Sequence, residues 1–142
     1  MVFMELIAAL EVENPAHGDL AMQCALLHDV LEDTETSYQE VEQQFGKAVA
    51  DGVSALSKDK SLPRELQMDD NLARIRMQPK EVWMVKLADR ITNLAPPPEF
   101  WTQEKCRHYH QDALIIHEAL KDASTTLGNR LLEKIEDYRQ YC

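Results

Sequence analysis

The sequence predicts an all-α fold in a single domain covering residues 1–142. Three observations predict it. Apolar residues recur at helical spacing along almost the whole chain. No stretch alternates polar and apolar residues long enough to make a convincing strand. Only four glycines interrupt the 142 residues. At this length one hydrophobic core can form without disulfides or a structural metal.

The elements follow in order. Val2 to Val12 reads as a first helix with Val2, Phe3, Leu6, Ile7 and Leu10 on one side. Asn14, Pro15 and Gly18 make a turn, and a second helix is expected from about Asp19 to Glu32. Ser37 followed three residues later by Glu40 is a capping box that opens a third, with Val41, Phe45 and Val49 as its apolar face. Gly46 and Gly52 should bend or split that region. "SKDKSLPRE" reads as a polar loop, and Pro63 can take the first position of the next helix, which ends near Pro79. Another helix then carries "EVWMVKLADRITNL", and the three prolines of "APPPE" stop it. Helical patterns cover about Glu99 to Lys121 and Leu127 to Tyr141, with Gly128 near their junction.

Composition narrows the function. A formal net charge of −10 argues against nucleic acid or an anionic membrane as partner. An anionic small substrate is still compatible, provided that clustered basic residues or a bound cation receive it. No apolar run has the length of a membrane-spanning helix, and the acids in "MVFMELIAALEVE" do not fit a signal peptide. Cys24, Cys106 and Cys142 are scattered and odd in number, which points to reduced thiols and a cytoplasmic location. Apolar terminal helices are compatible with a homodimer.

Two polar constellations stand out from this background. In "ALLHDVLEDT", His28 and Glu32 are four residues apart, as are Asp29 and Asp33, so one helical face would carry all four. Carboxylates at these spacings repel, and a helix C-terminus makes them worse. A divalent cation reverses the argument by turning the repelling oxygens into ligands. Histidine beside aspartate suits manganese, iron or zinc better than calcium. Solvated acids at a helix end, with His28 packed or capping, account for the same residues without a metal.

In "VKLADRITNL", Lys86, Asp89, Arg90 and Asn93 form a polar stripe surrounded by Val82, Val85, Leu87, Ala88, Ile91 and Leu94. A carboxylate at Asp89 in that setting needs a cation or strong hydrogen bonds. Asn93 offers an amide one turn later. A solvated stripe with a Lys86–Asp89 pair is the plainer reading. Taken together, the two stretches supply a His and two Asp from two facing helices, which is a metal-ligand set.

"HDVLEDT" followed by "VKLADRITNL" resembles the HD-domain hydrolases of the RelA/SpoT family. The resemblance continues through "YQEVEQQFGKAVADGVSALSKDK" and reaches "YHQDA", so nearly the whole chain takes part. It implies an HD-domain helical bundle like the single-domain SpoT-like members. It also implies manganese-dependent hydrolysis of guanosine tetraphosphate or pentaphosphate at the 3′ position, releasing pyrophosphate. Carried over residue by residue, the resemblance makes His28, Asp29 and Asp89 metal ligands. Glu32 and Asp33 match the pair that activates or orients water, and Asn93 and Tyr109 would lie against the nucleotide. Lys86, in the same motif, is expected to contact substrate.

The chain departs from the family pattern at its start. Family members carry basic helices and then a His-Pro step whose histidine is the first metal ligand. "MVFMELIAALEVE" resembles the helix directly after that step, so the N-terminal helices are expected to be missing and the histidine to stand upstream of Met1. His17, His108, His110 and His117 do not match a ligand position. Arg74, Arg76, Lys80 and Lys105 are weak candidates for phosphate contacts. Two alternatives stay open: a degenerate, non-catalytic nucleotide-binding or regulatory protein, and a phosphohydrolase acting on another nucleotide such as a nicotinamide dinucleotide phosphate.

Overall fold

The structure, a computed structural model, describes residues 2–142. The described residues form nine α-helices and two short 3-10 turns, with no strand among them. The all-α expectation holds.

The helices are α1 (Val2–Glu13), α2 (Gly18–Leu27), α3 (Val30–Asp33), α4 (Tyr38–Phe45), α5 (Lys47–Leu56), α6 (Arg64–Arg76), α7 (Lys80–Asn93), α8 (Gln103–Leu120) and α9 (Thr125–Tyr138). Helix α7 is the axis of the bundle, touching α1, α2, α5, α6, α8 and α9. Its sequence explains the position. Val82, Met84, Val85, Leu87, Ala88 and Ile91 point in all directions around the helix and are all buried. A helix whose buried apolar side chains cover most of its circumference must be surrounded by others. Each of these side chains larger than alanine, fully buried, contributes about 1.5–3 kcal/mol, and Leu6, Ile75, Ile116, Leu131 and Ile135 complete the core from neighbouring helices.

Local chemistry sets the helix starts. Ser37 and Glu40 form the expected capping box at α4. Thr102 and Ser124 accept from the backbone N–H groups of Lys105 and Leu127, capping α8 and α9. Pro63 and Pro79 stand one residue before α6 and α7 and not inside them. Gly46, at φ 94°, splits α4 from α5, as its place in the sequence predicts. That φ suits a residue without a Cβ.

Four expectations need correction. Val41 and Val49 are buried, but Phe45, the last residue of α4 before the split at Gly46, is exposed. Ile7 faces outward on α1, and Ala9 takes the buried position with Leu6. Helix α8 begins at Gln103 and not at Glu99, because Thr102 caps it there. The predicted helix from Asp19 to Glu32 is broken at His28 and Asp29 into α2 and α3. That last break has a local cause and shapes the site.

Candidate functional site

The site grows from the broken end of α2. The Nδ1–H of His28 donates to the carbonyl of Ala25 at 2.6 Å. Ala25 carbonyl is also the acceptor that the Asp29 N–H would use to continue the helix. The ring competes for it, the backbone turns, and Asp29 carbonyl starts the short helix α3 by accepting from the Asp33 N–H at 2.9 Å. No proline or glycine is involved.

The same bond fixes what the other ring nitrogen can do. With Nδ1 donating to a backbone carbonyl, Nε2 is aimed at two carboxylates. It stands 3.1 Å from Asp29 Oδ2 and 3.5 Å from Asp89 Oδ1, the latter brought in by α7. As the side chains stand, the ring pairs with both carboxylates. The hydrogen bond to Asp89 raises the His28 pKa to about 9, against the opposing effect of burial. Burial and the neighbouring carboxylates Asp89, Asp33 and Glu32 raise the pKa of Asp29 despite the attraction of His28. Asp89 goes the other way: burial works against its charge, but His28, Lys86 and Arg90 together hold its pKa below the ordinary carboxylate value.

A second arm runs along α7 towards α8. The Asn93 amide Nδ2 donates to Asp89 Oδ1 at 3.3 Å. The Tyr109 hydroxyl donates to the Asn93 carbonyl at 3.4 Å, a long contact. Arg90 lies with its guanidinium carbon 4.5 Å from the centre of the Tyr109 ring. Trp101 meets Tyr109 edge-on at 5.4 Å, and Lys105 Nζ sits 4.6 Å from the centre of the Trp101 ring. His28, Asp89, Asn93 and Tyr109 therefore form one connected polar line across three helices.

The expected site residues divide into groups. His28, Asp29 and Asp89 converge. Asn93 and Tyr109 join them through Asp89. Glu32 is turned to the loop after α5, where its Oε1 accepts from the Lys58 N–H at 3.1 Å. Asp33 is exposed and lies near enough to act on Asp29 through space. Lys86 is buried on α7, and burial lowers its pKa to about 8 although Asp89 and Glu32 pull it up. The solvated stripe is thereby excluded, since Lys86 and Arg90 are 8% and 9% exposed.

The donor set fits a divalent cation. One imidazole nitrogen with a fixed partner on its other nitrogen, flanked by two carboxylates, is a combination that borderline metals accept. Among the described residues, no three His, Cys, Asp or Glu side chains are already spaced to hold a metal as they stand. They bond to one another through His28 instead.

The remaining candidates have other work. Arg74 donates to Asp70, to the Ser54 carbonyl and to the Ser57 carbonyl, tying α6 to the end of α5. Arg76 and Lys80 flank the Trp83 ring. His108 faces Glu104 on the exposed side of α8, and His110 lies stacked against Tyr138. His17 is exposed, and its backbone N–H donates to Glu81. Sequence reasoning placed Arg90 in the stripe without a role and missed Trp101. The packing of α8 on α7 brings Arg90 to Tyr109, and the loop before α8 brings Trp101.

A family model described as an HD domain matches residues 2–124. The chain belongs to the HD-domain family. Among its relatives is the zebrafish guanosine-3′,5′-bis(diphosphate) 3′-pyrophosphohydrolase MESH1, 35% identical over 117 residues, which are 78% of this chain and 63% of that protein. The Drosophila melanogaster MESH1 is 34% identical over 132 residues, covering 87% of this chain and 72% of the relative. The Escherichia coli bifunctional (p)ppGpp synthase/hydrolase SpoT is 43% identical over 79 residues, only 11% of its length. The chain thus spans less than two thirds of the zebrafish relative. A solved structure of a metazoan SpoT orthologue, described as hydrolysing ppGpp, superposes with a TM-score of 0.79 at 29% identity, over 97% of this chain and 79% of the other. A Listeria monocytogenes structure with a TM-score of 0.76 is 16% identical and shares the HD fold.

Proposed function

We propose that this HD domain is a manganese-dependent hydrolase that removes pyrophosphate from the 3′ position of guanosine tetraphosphate or pentaphosphate. The observation that carries the reading is the imidazole of His28 held between Asp29 and Asp89, which come from opposite ends of the sequence motif pair. The names of the MESH1 and SpoT relatives support the substrate class.

His28, Asp29 and Asp89 would hold the cation. When bound, the cation supplies positive charge to the phosphate oxygens and makes water a stronger acid. The chain's own residues do the rest. Asp89 is kept ionised chiefly by His28 and Lys86, ready to serve as a ligand. Glu32 or Asp33 accepts the proton of the attacking water. Lys86 places a buried positive charge beside Asp89 and Glu32, where phosphate oxygens carry negative charge. Asn93 and Tyr109 line the nucleotide. In sum, guanosine tetraphosphate and water give GDP and pyrophosphate.

The reading includes a cytoplasmic location, supported by three free cysteines. It includes a homodimer through α1, supported by the exposed Met4, Ile7 and Val12. Light scattering after gel filtration tests that part.

The deciding experiment measures pyrophosphate release from guanosine tetraphosphate with manganese and with chelator, for the wild type and Asp89→Asn. Manganese-dependent release that falls about a hundredfold or more in the variant is expected. Equal rates in the two proteins would overturn the site. Nucleotide binding that survives chelation, with no turnover, would assign the chain to a regulatory role. Faster release of phosphate from a nicotinamide dinucleotide phosphate, measured alongside, would move the substrate.

A further inference from the structure

Arg90 enters the chemistry described so far only as the smallest of the charges acting on Asp89, yet it is the most unusual side chain in the fold. It is 9% exposed, and its Nε and Nη1 are fully shielded from solvent with no hydrogen-bond partner in the protein. A buried charged donor left without an acceptor is costly, and a chain that tolerates one has a use for the side chain. The guanidinium is instead laid on an aromatic face, 4.5 Å from the centre of the Tyr109 ring. The ring also packs against the edge of the core, where its polar contacts are few. The Tyr109 hydroxyl reaches Asn93 only through a 3.4 Å contact to its carbonyl. Trp101 and Tyr138 touch its edges at centroid distances of 5.4 and 5.9 Å.

The neighbourhood makes the stack functional and not merely cohesive. Arg90 follows Asp89 directly on α7, and Asn93 lies three residues further along. Tyr109 belongs to α8. The cation–π stack is therefore the joint between the helix that carries Asp89 and the helix that carries the tyrosine. We propose that Arg90 is a positioning residue: stacked beneath Tyr109, it holds that ring beside Asn93 so that the two present a preformed edge to an anionic nucleotide. The proposal rests on the nucleotide-hydrolase reading above and adds a residue to it. Arginine suits the task because its flat guanidinium covers a ring face, whereas a lysine ammonium offers a point charge on a flexible stem.

The test uses Arg90→Met and Arg90→Lys in the full chain. Methionine fills the space without the charge and leaves no buried N–H without an acceptor. The readouts are thermal stability, kcat and KM for pyrophosphate release, and guanosine tetraphosphate affinity by calorimetry in chelator. A fourth is the NMR signal of the Tyr109 ring, assigned by its loss in Tyr109→Phe. Expected for Arg90→Met are a melting temperature no lower than wild type, a shifted Tyr109 signal, and KM and Kd raised about tenfold with kcat nearly kept. Arg90→Lys should recover part of the affinity.

An unmoved Tyr109 signal with unchanged Kd in a folded Arg90→Met protein would overturn the proposal. So would a lower melting temperature with KM and Kd unaltered, which is what a purely structural arginine gives. If the wild type binds guanosine tetraphosphate without hydrolysing it, the hydrolase reading fails while the Kd and Tyr109 readouts still decide the role of Arg90. If Arg90→Met does not fold, Arg90→Lys alone decides: an unshifted ring and wild-type Kd would overturn the role.

Discussion

His28 holds its place because one ring nitrogen is tied to a carbonyl and the other is left to face Asp29 and Asp89. A histidine so tethered does not need to be ordered by its ligand, which lowers the cost of capturing one. Glu13, far from the site, shows the same economy. Its carboxylate accepts from the Thr126 N–H at 2.9 Å and so supplements the Ser124 cap at the start of α9. Burial works against its charge, but the bonds from Thr126, Ser124 and Thr125 outweigh burial and lower its pKa. A depressed pKa means that the unfolded chain binds the proton more readily, so the stability is present above the unfolded value and is lost as pH falls through the folded one. Glu13→Gln should therefore destabilise the protein by about 0.5–1 kcal/mol at neutral pH. The gap to wild type should close below about pH 4 in urea titrations. A gap that is constant with pH would show that the carboxylate charge plays no part.

At the scale of elements, the site depends on how closely α2, α5 and α7 approach. Gly52 of α5 faces Cys24 of α2 and Val82 of α7, and a Cβ there would stand 2.7 Å from Cys24 Sγ and 3.1 Å from Val82 Cγ2. Cys24 is fully buried, and burial raises its thiol pKa to about 12, so it serves as a small apolar side chain. Gly52→Ala should cost about 1–3 kcal/mol by forcing the helices apart. Adding Cys24→Ala should return part of that, a coupling that a double-mutant cycle in urea measures directly. Simple additivity of the two changes would mean that the helices do not meet at this point. Arg74 is the other clamp, and Arg74→Met should cost about 2 kcal/mol by freeing the carbonyls of Ser54 and Ser57.

For the whole molecule, net charge and site chemistry combine. A chain with a formal net charge of −10 gathers two aspartates and a histidine, and places Lys86 and Arg90 beneath them as the counterweight. Manganese that binds the folded state alone should raise the melting temperature, by an amount worth about 2.7 kcal/mol at a hundred times its Kd. Calorimetric melting with increasing manganese checks this for wild type and for Asp89→Asn, where the rise should vanish. An equal rise in both proteins would place the binding elsewhere on the acidic surface.

Helical periodicity, the capping box at Ser37 and Glu40 and the proline stops determined the all-α class and most helix limits, because those signals act over a few residues. The paired motifs named the polar residues of the site for the same reason. Tertiary structure alone decided how they meet. The Asp19–Glu32 helix breaks because the His28 ring takes the Ala25 carbonyl, a competition between side chain and backbone that periodicity does not register. Phe45 ends its helix at Gly46 and stays exposed, although its spacing from Val41 puts it on the apolar face. Lys86 and Arg90 are charged by sequence and buried by packing, and Arg90 finds Tyr109 only when α8 lies on α7. Contacts between helices remote in sequence depend on how those helices cross, and crossing is set by the shapes of the whole core.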